Sequence, residues 1–308
     1  MKIAVIGAGA VGGYFGGRLA ANGNDVTFLV RGKTFEALRD RPLRVKSING
    51  DFEVRAAATN EPAKIDADIV LVAVKAWQVS EAAEAIRKMA GRDSVIVPLQ
   101  NGMEAPAQLA AVLDSGRVAG GLCRIVAETT GPGEIDHYWA EPSIDFGQLE
   151  PLRNPERLEQ LRDAFRAAKV RCQIPPDIAT EMWEKFLFIT PWGSLGAVTR
   201  LPVGPIRSRP ELRAQLVVAL EEVARIARAE GKNLGDENIA KTLAILDGLP
   251  AETTSSMQRD IMAGRPSELE AQTGCVVRFG KKTGVPTPAH DSIYAELLPL
   301  EQRARGLA

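Results

Sequence analysis

A short apolar run, Ile3-Ala4-Val5-Ile6, leads straight into Gly7-Ala8-Gly9-Ala10-Val11-Gly12, and a stretch with helical character follows. Few sequence features restrict a fold more. A β-length run, a turn in the G-x-G-x-x-G pattern and a helix, in that order, describe the first βα unit of a dinucleotide-binding sheet. In such a unit Gly7 permits the tight turn, Gly9 lets the backbone approach a pyrophosphate, and Gly12 lets helix and strand pack closely. Ala8, Ala10 and Val11 complete the loop, and the helix N-terminus faces the anion. A turn that binds nothing can carry the same glycines. The strand before it and the helix after it favour the nucleotide reading.

The rest of the first half continues the alternation. Ile3–Gly7, Val26–Val30, Ile69–Val74, Val95–Leu99 and Val118–Leu122 are apolar runs of strand length, with helices expected at Gly12–Asn22 and Ser80–Ala90. Strands buried on both faces by such helices form an open parallel sheet. Ile125–Leu149, with its Gly-Pro-Gly, predicts added antiparallel strands; Pro155–Lys169 predicts a helix and Val170–Ile174 a strand. Pro175-Pro176 punctuates the chain, and from Asp177 the periodicity is helical. Leu212–Glu230 is apolar at Leu212, Leu216, Ala219, Leu220, Val223 and Ile226, the spacing of one helix face. Further helices are expected at Glu237–Leu246, Thr253–Met262, Ser267–Gly284 and Ala289–Arg305. The expected architecture is an α/β, Rossmann-type doubly wound parallel sheet over residues 1–175, followed by an all-helical domain over 176–308.

Strand two ends in Arg31-Gly32-Lys33, where an acid normally grips the adenine ribose hydroxyls. Cations there favour the 2′-phosphate of NADP, against the plainer reading of a solvated basic turn. The formal charge of −1, from 38 Lys+Arg and 39 Asp+Glu, offers no surface for nucleic acid or an anionic membrane. No apolar run approaches the roughly 20 residues that span a bilayer. Lys2 before a long uncharged stretch has the outline of a secretory leader, but six glycines between Gly7 and Gly17 break the apolar helix a leader needs. Cys123, Cys172 and Cys275 are scattered and odd in number, which predicts a reducing, cytoplasmic setting. His137 and His290 have no metal-ligand spacing, and no metal site is expected.

Taken together, these residues resemble the ketopantoate reductase (2-dehydropantoate 2-reductase) family over nearly the whole chain. The resemblance begins with the glycine loop and Arg31. It continues through "VAVKA", with Lys75 after a strand, and "QNGM", with Asn101 after the next. Separately, an asparagine before glycine is a turn residue and a lysine after a strand is surface charge. The resemblance implies that both reach cofactor or substrate. In the helical half it rests on "MWEKF", with Lys185, and "SSMQRDIMAGRPSELE", with Ser256 and Glu268. Alone, Lys185 reads as surface charge on an amphipathic helix, and Ser267 as an N-cap that makes Glu268 a first-turn acid. The resemblance implies instead that Lys185 is the general acid and that Ser256 and Glu268 hold the oxo acid. It further implies a helical domain like the C-terminal domain of 6-phosphogluconate dehydrogenase, NADPH as cofactor, a small 2-oxo acid as substrate and a place in pantothenate biosynthesis. It leaves a homodimer open. A lysine in its ordinary range, about 10.4, is protonated at neutral pH and suits an acid in the reductive direction.

The chain also departs from the family. Two asparagines expected four and eight residues after the lysine are Ile189 and Gly193, and a third, three before the serine, is Thr253. Each buried hydrogen bond lost to a substrate hydroxyl costs about 1–3 kcal/mol. Pro191-Trp192-Gly193 is expected to interrupt its helix and reshape the pocket wall. Three readings stand: a reductase of ketopantoate, a reductase of a less polar 2-oxo acid, and a nucleotide-binding sensor of the NADPH/NADP ratio. Other dehydrogenases, such as those of sugar acids, lie beyond these. Lys185 and Glu268 speak against the sensor, which has no use for a proton donor.

Overall fold

The computed structural model of the chain describes residues 1–89 and 93–307. Their contacts divide into two compact units. One comprises Met1–Gln100 with Ala105–Ile178, the other Asn101–Glu104 with Ala179–Ala308.

In the first unit, β1 (Lys2–Ile6), α1 (Ala10–Ala21), β2 (Asp25–Leu29) and α2 (Gly32–Asp40) open the chain. β3 (Leu43–Ser47), β4 (Phe52–Val54), β5 (Ala57–Thr59), β6 (Ile69–Val72), α3 (Val79–Arg87), β7 (Val95–Pro98) and α4 (Ala105–Ala110) follow. The expected helix Ser80–Ala90 corresponds to α3, and Ala90 lies outside the described residues. The central sheet has the order β5-β2-β1-β6-β7 with every pairing parallel. Alternation with period two explains why helices cover both faces. Ile3, Val5, Phe28, Ile69, Leu71 and Val97 share one core with Phe15 and Leu19 of α1. Ala4, Ile6, Val70, Val72 and Ile96 share another with Ala83 and Ile86 of α3 and Leu109 of α4.

A long hairpin, β8 (Gly120–Gly131) and β9 (Glu134–Gly147), supplies the antiparallel strands expected after Ile125. It belongs to a second sheet, ordered β10-β9-β3-β4, rather than to the first. After α5 (Glu156–Ala167), β10 (Arg171–Gln173) pairs with β9 in parallel. β3 and β4 carry no apolar run long enough to announce themselves in sequence; β3 is held by parallel pairing with β9, and β4 by antiparallel pairing with β3.

The second unit is helical: α6 (Ile178–Thr199), α7 (Val203–Ser208), α8 (Pro210–Ala229), α9 (Asp236–Gly248), α10 (Ser256–Met262), α11 (Cys275–Thr283) and α12 (Pro288–Ala304). Its core gathers Trp183, Phe186 and Leu187 of α6 with Leu216, Leu220 and Val223 of α8 and Val276 of α11. No helix among the described residues is long and apolar enough to cross a membrane.

Two local features differ from expectation. α6 runs unbroken through Pro191. The proline deletes one backbone hydrogen bond, but the buried Phe186, Leu187, Trp192 and Leu195 on either side keep the helix together by packing. Ser267 does not cap a helix running to Gly284. A π-helical turn, Glu270–Gly274, comes first, with Leu269 at its N-cap, and α11 follows. Glu268 therefore precedes the first helical turn. The Ser267 hydroxyl instead donates to Glu301 Oε2 at 2.5 Å, and its oxygen accepts from the Leu269 amide at 3.2 Å.

Candidate active site

The glycine loop joins β1 to α1 at the point where strand order reverses between β1 and β6, the ligand end of an open parallel sheet. Gly7 has φ +92°, which a side chain strains, and a Cβ there would stand 3.0 Å from Val74 Cγ1. A Cβ on Gly12 would overlap the Gly7 carbonyl and meet the Ala73 methyl at 2.9 Å. At Gly9 it would meet only Thr129 Oγ1, at 4.0 Å. The loop is thus closed toward the sheet and open at Gly9. Gly9 is the N-cap of α1 and no side chain caps that helix, so the turn offers backbone donors and a helix dipole to an anion. These residues fit a dinucleotide pyrophosphate.

Arg31 is the N-cap residue of α2 and is exposed. Both of its terminal nitrogens bond Glu81, in the first turn of α3; the Nη2–Oε2 distance is 2.8 Å. That hydrogen bond holds the guanidinium above its ordinary range and the Glu81 carboxyl below its own. Glu81, missed in sequence because it lies 50 residues from Arg31, puts a carboxylate beside the expected 2′-phosphate position. Lys75 is exposed, its ammonium 5.8 Å from the Trp77 ring centroid.

Asn101, Lys185, Ser256 and Glu268 all belong to the helical unit. Lys185 is 8% exposed and Glu268 6%, so the surface-charge reading of the lysine fails: its position on α6 faces inward. Asn101 Nδ2 donates to Glu268 Oε2 at 3.0 Å across 167 residues of sequence. Ser256 is the exposed first residue of α10, and its neighbour Ser255 supplies the cap by accepting from the Gln258 amide at 3.1 Å. Of the positions that depart from the family, Gly193 faces this cap. A Cβ there would stand 3.0 Å from Ser255 Oγ and 3.3 Å from Ser255 Cβ. Thr253 accepts the Val203 amide through its carbonyl, 3.0 Å, and Ile189 is half-buried on α6. The buried thiols Cys172 and Cys275 are both pushed up to about 12 by burial, which removes them as nucleophiles at neutral pH.

Comparison with known proteins adds a relationship. Residues 3–151 match the family model described as Ketopantoate reductase PanE/ApbA, and residues 177–301 match its C-terminal counterpart. The chain is 32% identical over 299 residues to the uncharacterized oxidoreductase YkpB of Bacillus subtilis (strain 168), covering 96% of this chain and 98% of that protein. It is 28% identical over 315 residues to a 2-dehydropantoate 2-reductase of Nostoc sp. (strain PCC 7120 / SAG 25.82 / UTEX 2576), with 99% and 96% covered. A crystal structure of a PanE/ApbA family ketopantoate reductase from Ralstonia eutropha JMP134 superposes with a TM-score of 0.89 at 29% identity, covering 99% of this chain and all of that one.

Proposed function

Because this chain belongs to the ketopantoate reductase family and is an oxidoreductase, we propose that it reduces a 2-oxo acid to the 2-hydroxy acid with NADPH, converting ketopantoate (2-dehydropantoate) to pantoate. One observation carries the reading. Two chargeable side chains, Lys185 and Glu268, are buried in one helical unit, and Glu268 receives the Asn101 amide at 3.0 Å. Burying charge costs stability, and such groups concentrate where chemistry needs them.

The glycine loop Gly7–Gly12 takes the pyrophosphate, Arg31 the 2′-phosphate, and Lys75 a place near the cofactor. Reduced nicotinamide, when bound, supplies hydride to the 2-oxo carbon. Lys185 stabilises the developing alkoxide and delivers its proton to that oxygen. Ser256 and Asn101 donate to the substrate carboxylate. Glu268, oriented by Asn101, accepts a hydrogen bond from a substrate hydroxyl. A sensor of the NADPH/NADP ratio gains nothing from a buried lysine and glutamate.

A second reading, a less polar 2-oxo acid, is favoured by Ile189 and by Gly193. The cap oxygen of Ser255, 3.0 Å from where a Gly193 side chain would begin, opposes an asparagine there. The test is turnover of a panel of 2-oxo acids with NADPH and with NADH, with ketopantoate set beside its deoxy analogue, 2-oxo-3,3-dimethylbutanoate. A site built to bond the hydroxyl rejects the analogue by about 10⁴-fold in kcat/KM, whereas an apolar one discriminates by only about 10–200-fold. A small preference in wild type that grows toward ketopantoate in Ile189→Asn supports the less polar substrate. A steep wild-type preference supports ketopantoate itself. No turnover of any 2-oxo acid with either cofactor overturns both.

A further inference from the structure

The segment Asn101–Glu104 follows the β7 strand of the first unit, yet it is packed as part of the second. Its attachments run in sequence order along the stretch from Glu268 to Arg278. Asn101 donates to Glu268 at 3.0 Å. Gly102 lies so close to the π-helical turn that a Cβ on it would overlap the Ala271 carbonyl oxygen, and its φ of +100° also excludes other residues. Met103 packs against the apolar core of the helical unit. Glu104 takes both arms of Arg278, Nε to Oε1 at 2.9 Å and Nη2 to Oε2 at 2.6 Å.

The same guanidinium holds the other side of the site. Arg278 Nη1 bonds Glu270 Oε2 at 2.8 Å, and Nη2 bonds the Glu270 carbonyl at 2.6 Å. Glu270 opens the π-helical turn two residues after Glu268. Its second carboxylate oxygen accepts from Tyr294 Oη at 2.6 Å, which fixes the carboxylate from α12. One planar fork therefore ties the segment carrying Asn101 to the turn that follows Glu268. Isolated exposed ion pairs contribute little, but a bidentate arginine joined into a network is the exception. Lysine, a point charge, cannot reproduce four such bonds in a plane.

We propose that Arg278 is a positioning residue of the site: it holds Asn101–Glu104 on the turn at Glu270 and so sets the contact between Asn101 and Glu268. The proposal rests on the roles given above to Asn101 and Glu268. The four bonds of Arg278 go to Glu104 and Glu270 rather than to those two side chains, so its effect on catalysis is indirect, through the placing of the segments that carry them.

That indirectness makes it testable by a double-mutant cycle. The variants are Arg278→Ala, Asn101→Ala and the pair, assayed with NADPH on ketopantoate or 2-oxo-3,3-dimethylbutanoate, whichever is turned over faster. NADPH affinity is measured by fluorescence and Tm by calorimetry. Misplacing a binding group by about 1 Å can cost on the order of 10²-fold, so Arg278→Ala is expected to lower kcat/KM by about 10–100-fold with NADPH affinity unchanged. In the Asn101→Ala background the same change should cost no more than about 3-fold, since the partner it positions is gone. Arg278→Lys should recover only part of the loss. An equal loss in both backgrounds overturns the positioning role. Full activity in Asn101→Ala overturns the site reading beneath it, and the two failures are distinct. If Arg278→Ala does not fold, Glu104→Gln replaces it in the cycle and must show the same non-additivity.

Discussion

Glu81 competes with the proposed 2′-phosphate for the guanidinium of Arg31. That guanidinium is bonded through two nitrogens to Glu81, which is 59% exposed. A charge-assisted contact to phosphate is worth about 1.5–3 kcal/mol, so Arg31→Ala should weaken NADPH binding roughly 10–150-fold and leave NADH nearly unmoved. Equal losses for the two cofactors would remove Arg31 from the 2′-phosphate. Releasing Arg31 from Glu81 has the opposite sign. Exposed pairs are worth up to about 1 kcal/mol, so Glu81→Gln should tighten NADPH by up to about 5-fold. Titration of both variants with both cofactors reads the two effects together. Lys185 differs from either because it is buried. In its proposed role a general acid is worth about 10²–10⁴-fold, so Lys185→Ala should lower kcat by that order while NADPH affinity holds. Normal turnover in that variant excludes the role.

Helix placement was legible where the apolar period is local, as in α1, α8 and α12, and misleading where a single residue type was asked to decide. Pro191 reads as a helix breaker, yet α6 passes through it because buried neighbours on both sides hold the helix. Ser267 reads as an N-cap, but its hydroxyl is engaged by Glu301, 34 residues away. Elements are also joined by groups that sequence leaves unremarked. Glu222 of α8 and His290 of α12 are fully buried, with Nδ1 2.6 Å from Oε2, and the carboxylate also accepts the Ala289 amide at 2.7 Å. Burial alone raises the Glu222 carboxyl, but the bonds from His290 and Ala289 outweigh it and hold it below its ordinary range. A depressed carboxylate stabilises the fold above its unfolded value, about 4.3, and that contribution is lost as pH falls through the lower folded value. Stability measured by urea unfolding should therefore decline below about pH 4, and the decline should flatten in Glu222→Gln. Removing one partner of such a pair costs about 3–5 kcal/mol, so His290→Ala should lower the unfolding free energy by that amount. A loss within about 0.5 kcal/mol, the surface-substitution range, would show that the pair does not join α8 to α12 energetically.

The two units are not two consecutive lengths of chain. A division at Pro175 leaves Asn101–Glu104 with the sheet, whereas its contacts lie with the helices. Gly102 is where this arrangement is most exposed to substitution, because its φ of +100° and its approach to the Ala271 carbonyl both exclude a side chain. Gly102→Ala should destabilise by more than about 1 kcal/mol and should lower kcat/KM with Asn101. Unchanged stability in that variant would mean the segment relaxes off the turn without cost.

From its own residues the chain already determines the parallel sheet, the glycine loop, the helical second half and the family. Strand and helix periods, and a turn that only glycine satisfies, are local properties carried in adjacent positions. The pairing of Arg31 with Glu81, the burial of Lys185 and the ladder from Asn101 to Arg278 are decided only when distant segments meet. The Glu104–Arg278 bond spans 174 positions. No local pattern records which charge will find which, because that choice depends on where the fold leaves a carboxylate and a guanidinium facing each other.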